Sequence, residues 1–323
     1  MKFLTFNDLA DDLVENIHKI PRDIDVVVGV PRSGCILAGM IAGYINKPLG
    51  DLDSFIEGHI YSAGATKNRK DRVDNIAEVK KALIVEDSIQ RGTSIESVKA
   101  RITEHCQNIE CVYLAAYVSC EGKRLVDIYF RKIDDLRIFE WNYMHNIKFL
   151  KRTCFDLDGV LCVDPTEEEN DDGPKYVNFL LNATPKFIPS SEIGWIVTSR
   201  LEKYRNETEE WLKKNRIKYR ELIMLNLKSA EERRQLGVHA DFKAEQYKSL
   251  NEAFLFVESN EMQAIKINEI TKKSVFCISN RFFYSESTLK SIVRVGKKKM
   301  TKIAKKILPN RLYKAIKSIT GHS

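Results

Sequence analysis

The sequence has no run of about 18 apolar residues, the length a membrane-spanning helix requires. Its first residues, Met1 to Phe6, do not lead into the apolar core of a signal peptide. Both absences predict a chain that stays in the cytoplasm. The seven cysteines (Cys35, Cys106, Cys111, Cys120, Cys154, Cys162 and Cys277) are odd in number, scattered, and never spaced as Cys-x-x-Cys. That pattern argues against a disulfide framework and a zinc-ligand set, and reduced, partly buried thiols are expected. Acid is missing from Leu289 to Ser323, where Lys290, Arg294, Lys297, Lys298, Lys299, Lys302, Lys305, Lys306, Arg311, Lys314 and Lys317 are all basic. The net charge of +7 therefore belongs to this tail. The rest of the chain is mildly acidic and carries no nucleic-acid footprint. With 323 residues, 43% hydrophobic and 30% charged, the chain reads as a soluble globular protein with room for two domains.

Around residues 81–94, KALIVEDSIQRGTS, the first half is organised. Ala82 to Val85 is an apolar run of the length and branching of a buried parallel strand, and it ends on Glu86 and Asp87. Gln90, Arg91, Gly92, Thr93 and Ser94 follow as a polar turn, and Ile95, Val98 and Ile102 then recur at helical spacing. A phosphate suits the turn: backbone N–H groups point at it, Gly92 permits close approach, and the hydroxyls of Thr93 and Ser94 donate. The two carboxylates, one sugar length away, can accept from vicinal hydroxyls or hold a hydrated Mg2+.

This stretch resembles the phosphoribosyl-diphosphate (PRPP) signature of the type I phosphoribosyltransferases. Gln90 and Arg91 stand where that family often has Thr or an acid that contacts a nucleobase, so a purine acceptor is disfavoured. The resemblance implies PRPP-binding roles for Glu86, Asp87, Gln90, Arg91, Gly92, Thr93 and Ser94, with Glu86 and Asp87 also catalytic. It further implies that Arg32, Ser33 and Gly34, after the apolar strand Asp25 to Val30, bind pyrophosphate. Residues 57–72, polar and basic, are read as the family's mobile hood, bringing Lys67, Arg69 or Lys70 onto the leaving pyrophosphate. Asn7 is expected to cap a first helix bearing Leu9, Leu13 and Ile17. Glu110 to Ser119 and Val126 to Lys132 read as further strands, and the aromatic residues near Trp141 as packing.

A second centre opens at residues 152–161, RTCFDLDGVL. A strand delivering Asp156, Asp158 and Gly159 at its end resembles the first motif of the haloacid dehalogenase (HAD) phosphohydrolases, and the companions follow in that family's order: Thr198, Lys243 and Glu258. The resemblance implies that Asp156 attacks phosphorus, Asp158 protonates the leaving oxygen, Thr198 holds a phosphoryl oxygen and Lys243 neutralises the aspartyl-phosphate. Asp156, Asp158 and Glu258 would hold Mg2+. Ser259 replaces a frequent second acid, which Asn260 and waters would offset. The acidic insert 164–174 is too short for a large cap. Arg200 and Arg205 read as a solvated helix face more readily than as phosphate ligands.

In the tail, Met300, Ile303, Ala304, Ile307 and Leu308, then Leu312, Ile316 and Ile319, recur at helical spacing opposite the lysines, with Pro309 between. Such a basic amphipathic segment predicts reversible binding to an anionic membrane surface at the inner face of the cytoplasmic membrane.

The expected class is α/β: two Rossmann-like domains with mainly parallel sheets, 1–150 of the type I phosphoribosyltransferase fold and 151–285 of the HAD fold with a minimal cap, then the basic amphipathic tail 286–323. The pairing implies a bifunctional enzyme that transfers ribose 5-phosphate from PRPP to a glycan acceptor, lipid-linked at a membrane, and then removes the 5-phosphate. It resembles the ribofuranose-installing systems of bacterial surface polysaccharide synthesis. Two alternatives stay open: nucleobase or nucleotide salvage with an attached phosphatase, and a PRPP-sensing domain that regulates the phosphatase.

Overall fold

A computed structural model describes residues 1–61, 73 and 75–285. Lys67, Arg69, Lys70 and the basic tail lie outside the described residues. The chain divides into two units, one ending at Trp141 and the other starting at Asn142. Among the described residues no helix is long and apolar enough to cross a membrane.

The first unit contains β1 (Lys2–Leu4), α1 (Phe6–Asn16), β2 (Val26–Gly29), α2 (Gly34–Ile45), β3 (Leu49–Asp51), α3 (Leu52–Ile56), β4 (Lys81–Ile89), α4 (Thr93–His105), β5 (Glu110–Val118), β6 (Ile128–Lys132) and β7 (Arg137–Phe139). Its main sheet has the order β3-β2-β4-β5-β6, with every neighbouring pair parallel. Strand alternation sorts the apolar residues into two layers. Val27, Leu83, Val85 and Leu114 pack with Leu9, Leu13, Leu37 and Ile41. Val26, Val28, Ala82 and Ile84 pack with Phe55, Ile95, Val98 and Ile102 on the other face. Helix α1 is capped by Thr5 and not Asn7: the Thr5 hydroxyl accepts from the Asp8 amide, and the Asp8 carboxylate accepts from the Thr5 amide. After β2 the chain builds β3 on one side and then crosses to β4 on the other. The outgoing loops of β2 and β4 therefore leave side by side, at the point where an open parallel sheet holds its ligands.

The second unit contains α5 (Ile147–Leu150), β8 (Thr153–Phe155), α6 (Pro174–Asn182), β9 (Ile193–Leu201), α7 (Arg205–Lys214), β10 (Tyr219–Leu225), α8 (Ala230–Leu236), α9 (His239–Ser249), β11 (Leu255–Glu258), α10 (Glu261–Thr271), β12 (Ser274–Cys277) and β13 (Phe282–Tyr284). Its sheet runs β10-β9-β8-β11-β12-β13, parallel except for β13. Helix α5 lies against β9, which is why residues 147–150 belong here. Here too the chain reverses direction across the sheet, between β8 and β11, so residues leaving those two strands meet. The acidic insert is fastened to this unit. The Asp172 carboxylate accepts from Lys203 Nζ, the Tyr204 hydroxyl and the Ala230 amide.

Candidate active sites

In the first unit, β4 is longer than the apolar run predicts and carries Glu86 and Asp87 inside the strand, not beyond it. Consecutive strand residues face opposite ways, and the partners differ accordingly. Glu86 accepts from the Ser94 hydroxyl at 3.2 Å, and Asp87 accepts from the indole N–H of Trp141 at 2.7 Å. Both acids are buried. Burial, then the neighbouring charge of Asp87, raises the Glu86 carboxyl to about 7. Burial also raises Asp87, opposed by the Trp141 hydrogen bond and the charge of Arg137.

The two loops that flank these acids are tied to the strand. The Val30 amide donates to the Val85 carbonyl at 2.9 Å. Gly34 lies so close that a Cβ there would sit 2.4 Å from that carbonyl oxygen. Helices α2 and α4 both begin at this edge with no side-chain cap, so their first N–H groups remain for a ligand. At Gly92, which starts α4 at φ +94°, a left-handed conformation is needed. Arg32, Gln90, Arg91, Thr93 and Ser94 are exposed, Ser33 half-buried, and Gly34 and Gly92 buried. The structure thus brings together every PRPP-binding residue expected from sequence except Lys67 and Arg69, which it does not describe.

In the second unit, Asp156, Asp158, Thr198, Lys243 and Glu258 line one cleft of about 360 Å3. Lys243 Nζ donates to Asp156 Oδ2 at 2.6 Å, to Glu258 Oε2 at 2.8 Å and to Gln263 Oε1 at 2.9 Å. All three charged groups are buried. The two carboxylates hold Lys243 strongly protonated against the effect of burial. Burial pushes Asp156 up, Lys243 pulls it back down, and Glu258 adds to the rise. The other Glu258 oxygen accepts from the Ser259 and Asn260 amides. Gly159 adopts φ +76°, and a Cβ there would sit 2.2 Å from Ser259 Oγ.

Three expectations need correction. Asp158 is not a third ligand beside Asp156 and Glu258. Its carboxylate is gripped by Arg200, through Nη2 at 2.6 Å and Nε at 3.2 Å, because the Arg200 side chain is wholly buried and needs a counter-charge. Among the described residues no group of three His, Cys, Asp or Glu side chains is disposed to hold a metal ion. Asn260 does not stand in for the missing acid, since its Oδ1 caps α10 by accepting from the Met262 and Gln263 amides. Arg200 is no solvated helix residue; Arg205 does pair with Glu202 and Glu209 near the surface.

Sequence reasoning also treated Trp141 as packing and passed over Gln263. No local signal links Trp141 to Asp87. For Arg200 there was one, since it lies two residues after Thr198 in a strand and so shares its face.

The comparisons with known proteins bear on the first unit, the parallel sheet with paired acids and two uncapped helix starts at its crossover point. Residues 4–151 match the model of the phosphoribosyl transferase domain family. Among curated proteins, the amidophosphoribosyltransferase of Lachancea kluyveri is 32% identical over 99 residues, which cover 27% of this chain and 19% of that protein. The chain thus spans about a fifth of the curated relative it matches. Similar solved structures include a purine phosphoribosyltransferase from Pyrococcus horikoshii Ot3, 20% identical over 43% of this chain and 92% of that one, with a TM-score of 0.32. The xanthine-guanine-hypoxanthine phosphoribosyltransferase of Helicobacter pylori is 17% identical over 43% and 90%, with a TM-score of 0.33.

Proposed function

We propose that the chain is a two-centre enzyme that transfers ribose 5-phosphate from PRPP to a glycan acceptor and then hydrolyses the 5-phosphate. The observation that carries the first step is the meeting of Glu86 and Asp87 with two uncapped helix N-termini at the β2/β4 crossover. The 5-phosphate would take the N–H groups of α4 and the hydroxyls of Thr93 and Ser94. The ribose hydroxyls would donate to Glu86 and Asp87, and the pyrophosphate would lie on residues 32–34 at the start of α2. As C1 gains positive charge, the two carboxylates stabilise it from fixed positions.

For the second step, the cluster of Asp156, Lys243, Glu258 and Thr198 supports a HAD-type phosphohydrolase. Asp156 would attack phosphorus with Lys243 countering its charge, and Asp158 would pass a proton to the leaving sugar oxygen once released from Arg200. Mg2+ is commonly held by one or two carboxylates plus water. Asp156 and Glu258 supply those two hard oxygen donors, and the ion would neutralise phosphoryl charge. The described residues thus fit Mg2+ through two carboxylates rather than three. An acceptor linked to lipid, reached through the basic tail on an anionic membrane surface, completes the reading.

The test measures pyrophosphate and phosphate release from PRPP and Mg2+, with and without bacterial membrane extract, for wild type, Asp87→Asn and Asp156→Asn. Extract-dependent pyrophosphate release that needs Asp87, with a phosphorylated ribosyl product accumulating in the lipid fraction of Asp156→Asn, is the expected result. Pyrophosphate release under no acceptor condition would make the first unit a sensor and end the transferase reading.

A further inference from the structure

The cations of the second unit's cleft are not all matched. Lys243 serves Asp156 and Glu258, and Arg200 serves Asp158. Arg233 lines the same cleft, is only 7% exposed, and forms no ion pair among the described residues. Its Nη1 donates to the Ser199 carbonyl at 2.8 Å, while its Nε, also buried, has no partner. Ser199 stands beside it, 8% exposed, its Oγ likewise buried without a partner. Burying a guanidinium with its Nε unmet is costly unless an anion completes it. Burial, then the charges of Arg233 and Lys243, lowers the nearby His239 imidazole to about 4, with Glu258 opposing.

We propose that Arg233 and Ser199 form a second anion subsite in this cleft, so that the ester cleaved at Asp156 belongs to a molecule carrying a further phosphate or diphosphate group. A guanidinium presents a planar fork of donors that matches phosphate oxygens, and the Ser199 hydroxyl adds one more. This rests on the phosphohydrolase reading of the unit and narrows its substrate to phosphate esters that carry a second phosphate or diphosphate group.

The test compares ribose 5-phosphate with ribose 1,5-bisphosphate on the full-length chain in two ways: phosphate release, and calorimetric binding to the Asp156→Asn chain. The bisphosphate is expected to be favoured by about 30-fold in both readouts, the worth of charge-assisted hydrogen bonds to a second phosphate. Arg233→Met should carry that ratio close to one, Arg233→Lys should retain part of it, and Ser199→Ala should lower it several-fold. Because the ratio within each variant is read, binding of either probe to the first unit, which these changes leave alone, cannot mimic the effect. A ratio untouched by Arg233→Met, or a parallel fall for both substrates, overturns the subsite and leaves Arg233 as a brace for Ser199. If Arg233→Met does not fold, the ratios of Arg233→Lys and Ser199→Ala decide the matter by the same rule. Arg233-dependent binding preference with no phosphate release from either compound would keep the subsite and remove the phosphohydrolase reading.

Discussion

The two units place acidic residues at the same topological position and treat them in opposite ways. In the first, Glu86 and Asp87 are buried against a hydroxyl and an indole N–H, with no ion pair among the described residues, and burial raises both carboxyls. In the second, every acid at the sheet crossover meets a buried cation: Asp156 and Glu258 share Lys243, and Asp158 holds Arg200. Uncompensated acids are ready to receive hydroxyl donors or a cation with the ligand. Compensated acids are fixed in place beforehand, as a nucleophile needs to be. On the proposed function, the difference would separate a centre that recognises a sugar from one that attacks phosphorus.

The comparison breaks most visibly at Asp156. Asp156→Asn should lower phosphate release by on the order of 10³-fold or more while pyrophosphate release from PRPP continues; parallel assays of the two products would expose any coupled loss. Next comes Lys243→Met, which leaves Asp156 and Glu258 facing each other in a buried site. Urea unfolding should show the second unit destabilised by about 3–5 kcal/mol, and an unchanged midpoint would mean that the pair is not compensated as described.

In the first unit, Gly34→Ala would drive a methyl into the Val85 carbonyl and displace the loop by a fraction of an ångström or more. Pyrophosphate release should fall by roughly 100-fold, with the phosphatase assay as the internal control. The smallest effect is the most diagnostic. Glu86, raised to about 7 in the folded chain from an ordinary value near 4.5, binds more protons folded than unfolded between those limits. Its contribution to stability therefore falls as pH climbs through that window and levels off above it. Glu86→Gln should match wild type below pH 4.5 and exceed it at pH 8. Denaturation profiles that stay parallel across the range would show that Glu86 is compensated after all, like its counterparts in the second unit.

Much of this was legible in the sequence. The apolar runs at 26–29, 82–85 and 255–257 are buried parallel strands because their side chains are apolar on both faces. Acids follow the runs at 82–85 and 255–257, within β4 and at the end of β11. Asp156, Lys243 and Glu258 come together in one cleft, and Gly92 starts α4, while Glu86 and Asp87 lie within β4 and not beyond it. Less legible were the partners: Trp141 on Asp87, Arg200 on Asp158, Gln263 beside Lys243, and Asn260 spent on capping α10.

The sequence by itself determined which residues are apolar, where the glycine-containing polar turns fall, and the order of two α/β units along the chain, because hydrophobic periodicity and turn chemistry are local. Only the tertiary structure decided which cation neutralises which acid, that Asp158 turns to Arg200, and that Arg233 forms no ion pair among the described residues. Those outcomes depend on distances between residues far apart in the chain, and on the cost of burying a charge, which exists only once the surrounding core has closed.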